Sequence, residues 1–125
     1  RFCKVDVLLP GIMNLPYLNE GEINELEGLP VVPVLVLLLQ KLQGWDDHLK
    51  CVEFHKHRKH TVDVEDIKDL LGRVGEMPVR LFRPWSERGL LGEQFVTASK
   101  ARVKAFCARF PETTHLWAGL GFEVA

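Results

Sequence analysis

Nine consecutive residues, Val31 to Leu39, read VVPVLVLLL and carry no charge. A run of that kind has to leave water, and this limits the folds open to the chain. Spanning a bilayer takes about 20 apolar residues. This run is about half as long and leads straight into Gln40 and Lys41, so it reads as the buried segment of a water-soluble domain. Pro30 and Pro33 bracket its start, and Pro33 suits the first position of a helix. From there Leu35, Leu38, Leu39, Leu42 and Trp45 follow helical spacing, which predicts a helix over 34–48. Its first half is apolar all round, so it packs centrally. The polar stretch DDHLKCVEFHKHRKH beyond it either carries the helix onward or forms a loop.

Around this segment the pattern changes period. RFCKVDVLL alternates, with Cys3, Val5, Val7 and Leu9 on one side and Phe2, Lys4, Asp6 and Leu8 on the other, which predicts a strand with a buried apolar face. EINELEG reads as a short edge strand or extended segment, and LPVV as one more short strand. TVDVEDIKDLLG is the best-marked helix. Thr61 is placed to cap it, and Asp63, Glu65 and Asp66 load its first turn, where the helix dipole favours acids. Val64, Ile67, Leu70 and Leu71 form its apolar face, and Gly72 is expected to stop it. GEMPVRLFRPWSERGLLG is irregular. A further amphipathic helix covers 93–110, with Phe95, Val103, Phe106, Cys107 and Phe110 inside. A last segment starts at Pro111 and ends loosely. Strands first and helices after predict an α+β fold, a small mixed or antiparallel sheet covered by several helices. We expect a single domain over 1–125, with the strand and core helices in 1–72 and a helical extension in 73–125.

Charge and cysteine content narrow the function classes. A net charge of −1 gives no bulk attraction to nucleic acid or to an acidic membrane, which argues against a general DNA- or RNA-coating protein. Three widely spaced cysteines, Cys3, Cys51 and Cys107, fit a reducing compartment and no disulfide scaffold. With no signal peptide, the expectation is a cytoplasmic or nuclear protein that is not secreted. The chain begins without Met inside an expected strand, so we expect a fragment. A first strand lacking its neighbour leaves an unpaired edge, and self-association through it is expected.

CKVDVLLPG, then LEGLPVVPVLVLLLQKLQGWDDH, then DVEDIKDLL resemble the later part of the nucleotidyltransferase fold, the polymerase-β-like superfamily, with details similar to a group of fungal proteins of that fold. The resemblance covers roughly Lys4 to Leu71. It implies that Asp6 is the third carboxylate of a two-metal site and so a catalytic and magnesium-binding residue. Lys41 in QKLQ matches the family's helical lysine, which with Lys4 implies phosphate-binding cations. Asp63 and Asp66 match an aspartate pair three apart. The implied activity is transfer of a nucleotidyl group from a nucleoside triphosphate to an acceptor hydroxyl with magnesium. The family's Gly-Ser turn with two aspartates one residue apart does not occur before Asp6. Catalysis and a bound magnesium ion are therefore expected of a full-length form and not of this chain alone. The alternative is a catalytically inactive binding or interaction module of the same fold; a third is an unrelated helical domain whose first strand pairs with a missing segment.

Each of these residues also has a plainer role. Lys4 and Asp6 fit a solvated edge-strand face. Lys41 fits a lysine snorkelling from a buried helix. Asp63 and Asp66 fit first-turn acids, worth about 0.3–1 kcal/mol each, with a salt bridge to a neighbouring helix. His48, Cys51 and His55 would share one face of a continued helix and offer zinc ligands, but no fourth ligand is evident and the surroundings are basic. The competing reading of that stretch is a solvated loop, whose Lys56, Arg58 and Lys59 are placed to meet phosphate. Cys107 falls on an apolar helical face and reads as a structural thiol.

Overall fold

The computed structural model describes residues 23–51, 59–76 and 91–125, and residues 3, 5, 7 and 9 individually. Strands β1 (Asn24–Leu26) and β2 (Leu29–Val31) form an antiparallel hairpin. Three longer helices follow, α1 (Val34–Lys50), α2 (His60–Gly75) and α3 (Glu93–Arg109). A 3-10 turn (Pro111–Thr113) leads into a short α4 (Thr114–Gly119). The fold is α+β, as the order of elements predicts. Among the described residues no helix is long and apolar enough to cross a membrane.

The hairpin closes with two residues, Glu27 and Gly28, between the pair Leu26 and Leu29. Both have positive φ, 51° and 79°. That combination is the one whose twist matches paired strands. Glycine adopts it freely, whereas Glu27 carries the strain of a left-handed non-glycine residue. Pro30 lies opposite Glu25 and can donate no ladder hydrogen bond, which fits a strand that, among the described residues, pairs on one side only.

Pro33 sits one place earlier than expected. It is the N-cap of α1, and its carbonyl accepts the first helical bond from the Leu37 amide at 3.0 Å. α1 buries Leu35, Leu38, Leu39, Leu42 and Trp45, the residues its spacing marks, together with Val36. It continues to Lys50, two residues past the expected end, and stops where Cys51 turns extended.

α2 corrects two expectations. Lys59 occupies the N-cap position without a side-chain cap, and Thr61 is exposed within the first turn instead of capping it. Gly72 does not stop the helix, which runs on to Gly75. Gly72 faces solvent, and a mid-helix glycine costs about 1 kcal/mol. Val64, Ile67, Leu71 and Val74 are buried along one stripe, and each such side chain contributes about 1.5–3 kcal/mol. Burying Val74 outweighs the glycine.

The core is one cluster drawn from all four helices. Leu91, Phe95, Val103, Phe106, Cys107, Trp117 and Phe122 join Leu38, Leu39, Leu42, Trp45, Ile67 and Leu71 in it, so it runs across the 72/73 division. Phe106 is its centre. Its ring lies 5.0 Å from Trp45, 4.7 Å from Phe110 and 6.0 Å from Trp117. Lys68 of α2 lies 4.9 Å over the Phe110 ring and reaches Glu112 at 2.7 Å, tying α2 to the 3-10 turn. That hydrogen bond holds the Glu112 carboxyl below its ordinary value of 4.5. The contribution is present at neutral pH and is lost as pH falls through the lowered value.

The end of the chain is ordered by its backbone. Gly121 takes φ 91°, its amide donates to the Ala118 carbonyl, and the Phe122 amide donates back to Trp117. This is a Schellman closure, and it brings the Phe122 ring to 5.5 Å from Trp117. The loose ending expected after Pro111 is replaced by a folded one. At the other end, Cys3, Val5, Val7 and Leu9 lie in no helix or strand and are exposed, Val5 at 78% and Val7 at 82%. Their expected burial as a strand face is therefore not seen among the described residues.

Phe106→Ala is expected to lower stability by about 3–5 kcal/mol, the range for emptying a fully buried aromatic site. Val62→Ala, at an exposed position of α2, should stay within about 0.5 kcal/mol. Urea titration of the helical circular-dichroism signal measures both.

Candidate functional site

Two of the sequence-marked groups meet. α1 and α2 run antiparallel, because the earlier Lys41 faces the later Asp66 and the later His48 faces the earlier Asp63. Lys41 Nζ donates to Asp66 Oδ2 at 2.9 Å. His48 Nδ1 lies 2.5 Å from Asp63 Oδ2. Seven residues separate the α1 partners, about 10.5 Å along the axis, but three separate the α2 partners, about 4.5 Å. The long Lys41 side chain makes up the difference. So Asp63 and Asp66 do join a neighbouring helix, and only Asp63 stands in the first turn.

The two pairs differ in burial. Lys41 and Asp66 are 40% and 43% exposed, so water and salt screen them, and the pair is worth about 0.2–1 kcal/mol. Asp63 is more enclosed, at 13%. An ammonium has three N–H donors, and Asp66 takes one of them. Among the described residues Asp66 is the acceptor shown for it, and the carboxylate offsets its charge. Lys4 and Asp6 lie outside the described residues, as do His55, Lys56 and Arg58.

A second polar group was missed by sequence reasoning. Asp46 on α1 receives Lys50 at 2.7 Å and Arg102 of α3 at 3.5 Å, and both Asp46 and Arg102 are only 12% exposed. Nη1 of Arg102 and Oγ of Ser99, one turn away on α3, are buried without a hydrogen-bond partner. The signal was in the spacing. Leu39, Leu42 and Asp46 follow i, i+3, i+7, so the aspartate stands on the apolar stripe. Phe95, Ser99, Arg102 and Phe106, at i, i+4, i+7 and i+11, form a stripe of the same kind on α3. A charge on each of two facing stripes marks an ion pair between helices.

Metal chemistry finds little support among the described residues. Because α1 ends at Lys50 and Cys51 is extended, His48 and Cys51 do not continue along one helical face, which removes the geometry behind the zinc reading. Among the described residues no three His, Cys, Asp or Glu side chains converge to hold a metal ion. Asp63 and Asp66 are engaged by His48 and Lys41, so the described residues do not by themselves form a magnesium site. Cys107 is buried, and burial pushes its thiol pKa up, against weaker opposing hydrogen bonds to Thr114 and Thr113. A raised thiol pKa keeps the group protonated and unreactive.

Comparison with protein-family models, with curated proteins and with solved structures found no match.

Two outcomes are expected. Arg102→Met should destabilise the fold by about 1–3 kcal/mol, because it strands part of a buried carboxylate. Combining it with Asp46→Leu should restore most of that loss in a double-mutant cycle followed by urea unfolding. A thiol reagent should modify exposed Cys3 in the native protein and reach Cys107 only after unfolding.

Proposed function

We propose that this chain is the later, helix-rich part of a nucleotidyltransferase-like protein. The observation that supports it is the pairing of Lys41 with Asp66 at 2.9 Å across α1 and α2. The resemblance matched the helical lysine and the aspartate pair separately, 25 residues apart, and they meet on one seam. In this reading the α1–α2 pair forms the wall behind a nucleotide site. Asp66 fixes the direction of the Lys41 side chain, and the remaining donors of that ammonium face the triphosphate. Asp6 supplies one carboxylate to a metal site, and Lys4 stands beside it as a second cation. Magnesium, when bound in a full-length form, supplies the charge that activates the acceptor hydroxyl. The reading puts the protein in the cytoplasm or nucleus, where nucleoside triphosphates and reduced thiols coexist.

The alternative, an inactive module of the same fold, also draws on a specific observation. Asp66 offsets much of the charge by which Lys41 would attract phosphate, as in a helix-pairing contact with no substrate.

The coding sequence upstream of Arg1 distinguishes the two. The first reading expects a Gly-Ser turn and two aspartates one residue apart within about one βαβ unit, roughly 30–60 residues. A protein extended to include them should transfer a radiolabelled nucleotidyl group in the presence of magnesium, and Asp6→Asn should reduce the rate at least about 100-fold. The chain Arg1–Ala125 alone should transfer none. An upstream sequence without those aspartates would support the module and overturn the enzyme.

A further inference from the structure

The polar seam between α1 and α3 is incompletely joined. Arg102 reaches Asp46 at 3.5 Å, longer than the about 2.7–2.9 Å of a well-formed charge-assisted bond. Asp46 and Arg102 are each only 12% exposed, and Ser99 is wholly buried. Nη1 of Arg102 and Oγ of Ser99 have no hydrogen-bond partner among the described residues. Burying a polar atom unpaired is costly, so two of them one turn apart call for a common partner.

Spacing and charge define that partner. Ser99 and Arg102 stand at i and i+3 on α3, which sets their Cβ atoms about 5–6 Å apart. One small molecule with a hydrogen bond on each side bridges such a span. Ser99 is the smallest side chain on a stripe shared with Phe95, Arg102 and Phe106, so its larger neighbours set the helix spacing and leave room over it. Nη1 can only donate, whereas the serine hydroxyl donates or accepts. An anion would crowd the Asp46 carboxylate, and a cation would crowd the Arg102 guanidinium. A neutral molecule that both donates and accepts meets every condition.

We propose that one internal water binds here. It accepts from Arg102 Nη1, is hydrogen-bonded to Ser99 Oγ, and donates to the Asp46 carboxylate. Three polar partners are the usual complement of a buried water. The water completes an ion pair whose direct contact is long, and it belongs to the joint between α1 and α3.

A high-resolution crystal structure of the chain tests this directly. The expected result is a water within about 2.7–3.2 Å of both Arg102 Nη1 and Ser99 Oγ. In solution, oxygen-17 relaxation dispersion counts the waters held for longer than the protein takes to tumble. Asp46→Leu combined with Arg102→Met removes two of the three partners, and the count should fall by one per chain. The crystal structure answers even if that double variant does not fold. A Ser99 hydroxyl bonded to the Phe95 carbonyl one turn back, with no water between it and Arg102, overturns the proposal. So does an equal water count in the native chain and the folded double variant. The outcome is independent of the nucleotidyltransferase reading, because no nucleotide or metal enters either measurement.

Discussion

The contact of Phe106 with Trp45 and Trp117 is the joint on which the other packing depends. Trp45 belongs to α1, Phe106 to α3 and Trp117 to α4, so α1 meets the two later helices, distant from it in sequence, around one set of edge-on aromatic contacts. α4, at six residues, is far too short to be stable by itself. α3 carries only a thin apolar stripe and exposes Lys100, Lys104 and several alanines. Both are held by the rings they insert into the core, Phe106 against Trp45 of α1 and Trp117 against Phe106. The seam between α1 and α2, where the candidate functional residues lie, is positioned by the same core through Leu38, Leu42, Ile67 and Leu71.

Polar groups on α1 divide into two kinds around that core. Lys41 meets Asp66 of α2 near the surface, where exchange with solvent is cheap, whereas the Asp63 partner of His48 is enclosed. Asp46 meets Arg102 in the interior, where separation would leave a charge stranded. The exposed Lys41–Asp66 pair is the one solvent reaches, and the Asp46–Arg102 pair fixes how α1 lies against α3. A site built on the outer seam inherits a rigid floor and a pliable rim.

Much of this was legible in the sequence. The 3.6-residue spacing of Leu35, Leu38, Leu42 and Trp45 located α1, and Phe95, Val103, Phe106 and Cys107 located α3 to within one residue. The short strands were found where EINELEG and LPVV alternate. What escaped had physical causes. Gly72 reads as a stop signal, but a glycine on the solvent side does not outweigh Val74 buried two residues later. Thr61 reads as a cap, but the helix begins before it. The face of Val5 and Val7 reads as buried because alternation shows only that a face exists, and cannot show what covers it. For the candidate site, Lys41, Asp63 and Asp66 were marked from resemblance, and their meeting depended on the antiparallel packing of α1 on α2. Asp46 and Arg102 were passed over because a lone charge on an apolar stripe declares itself only when its partner helix is known.

The turn at Gly121 gives the final residues a role out of proportion to their number. With its Schellman closure, the chain doubles back and presses Phe122 onto the ring of Trp117. The segment that follows α4 is thus a latch on the aromatic joint: losing the Phe122 ring would loosen α4 and act directly on the packing around Trp117.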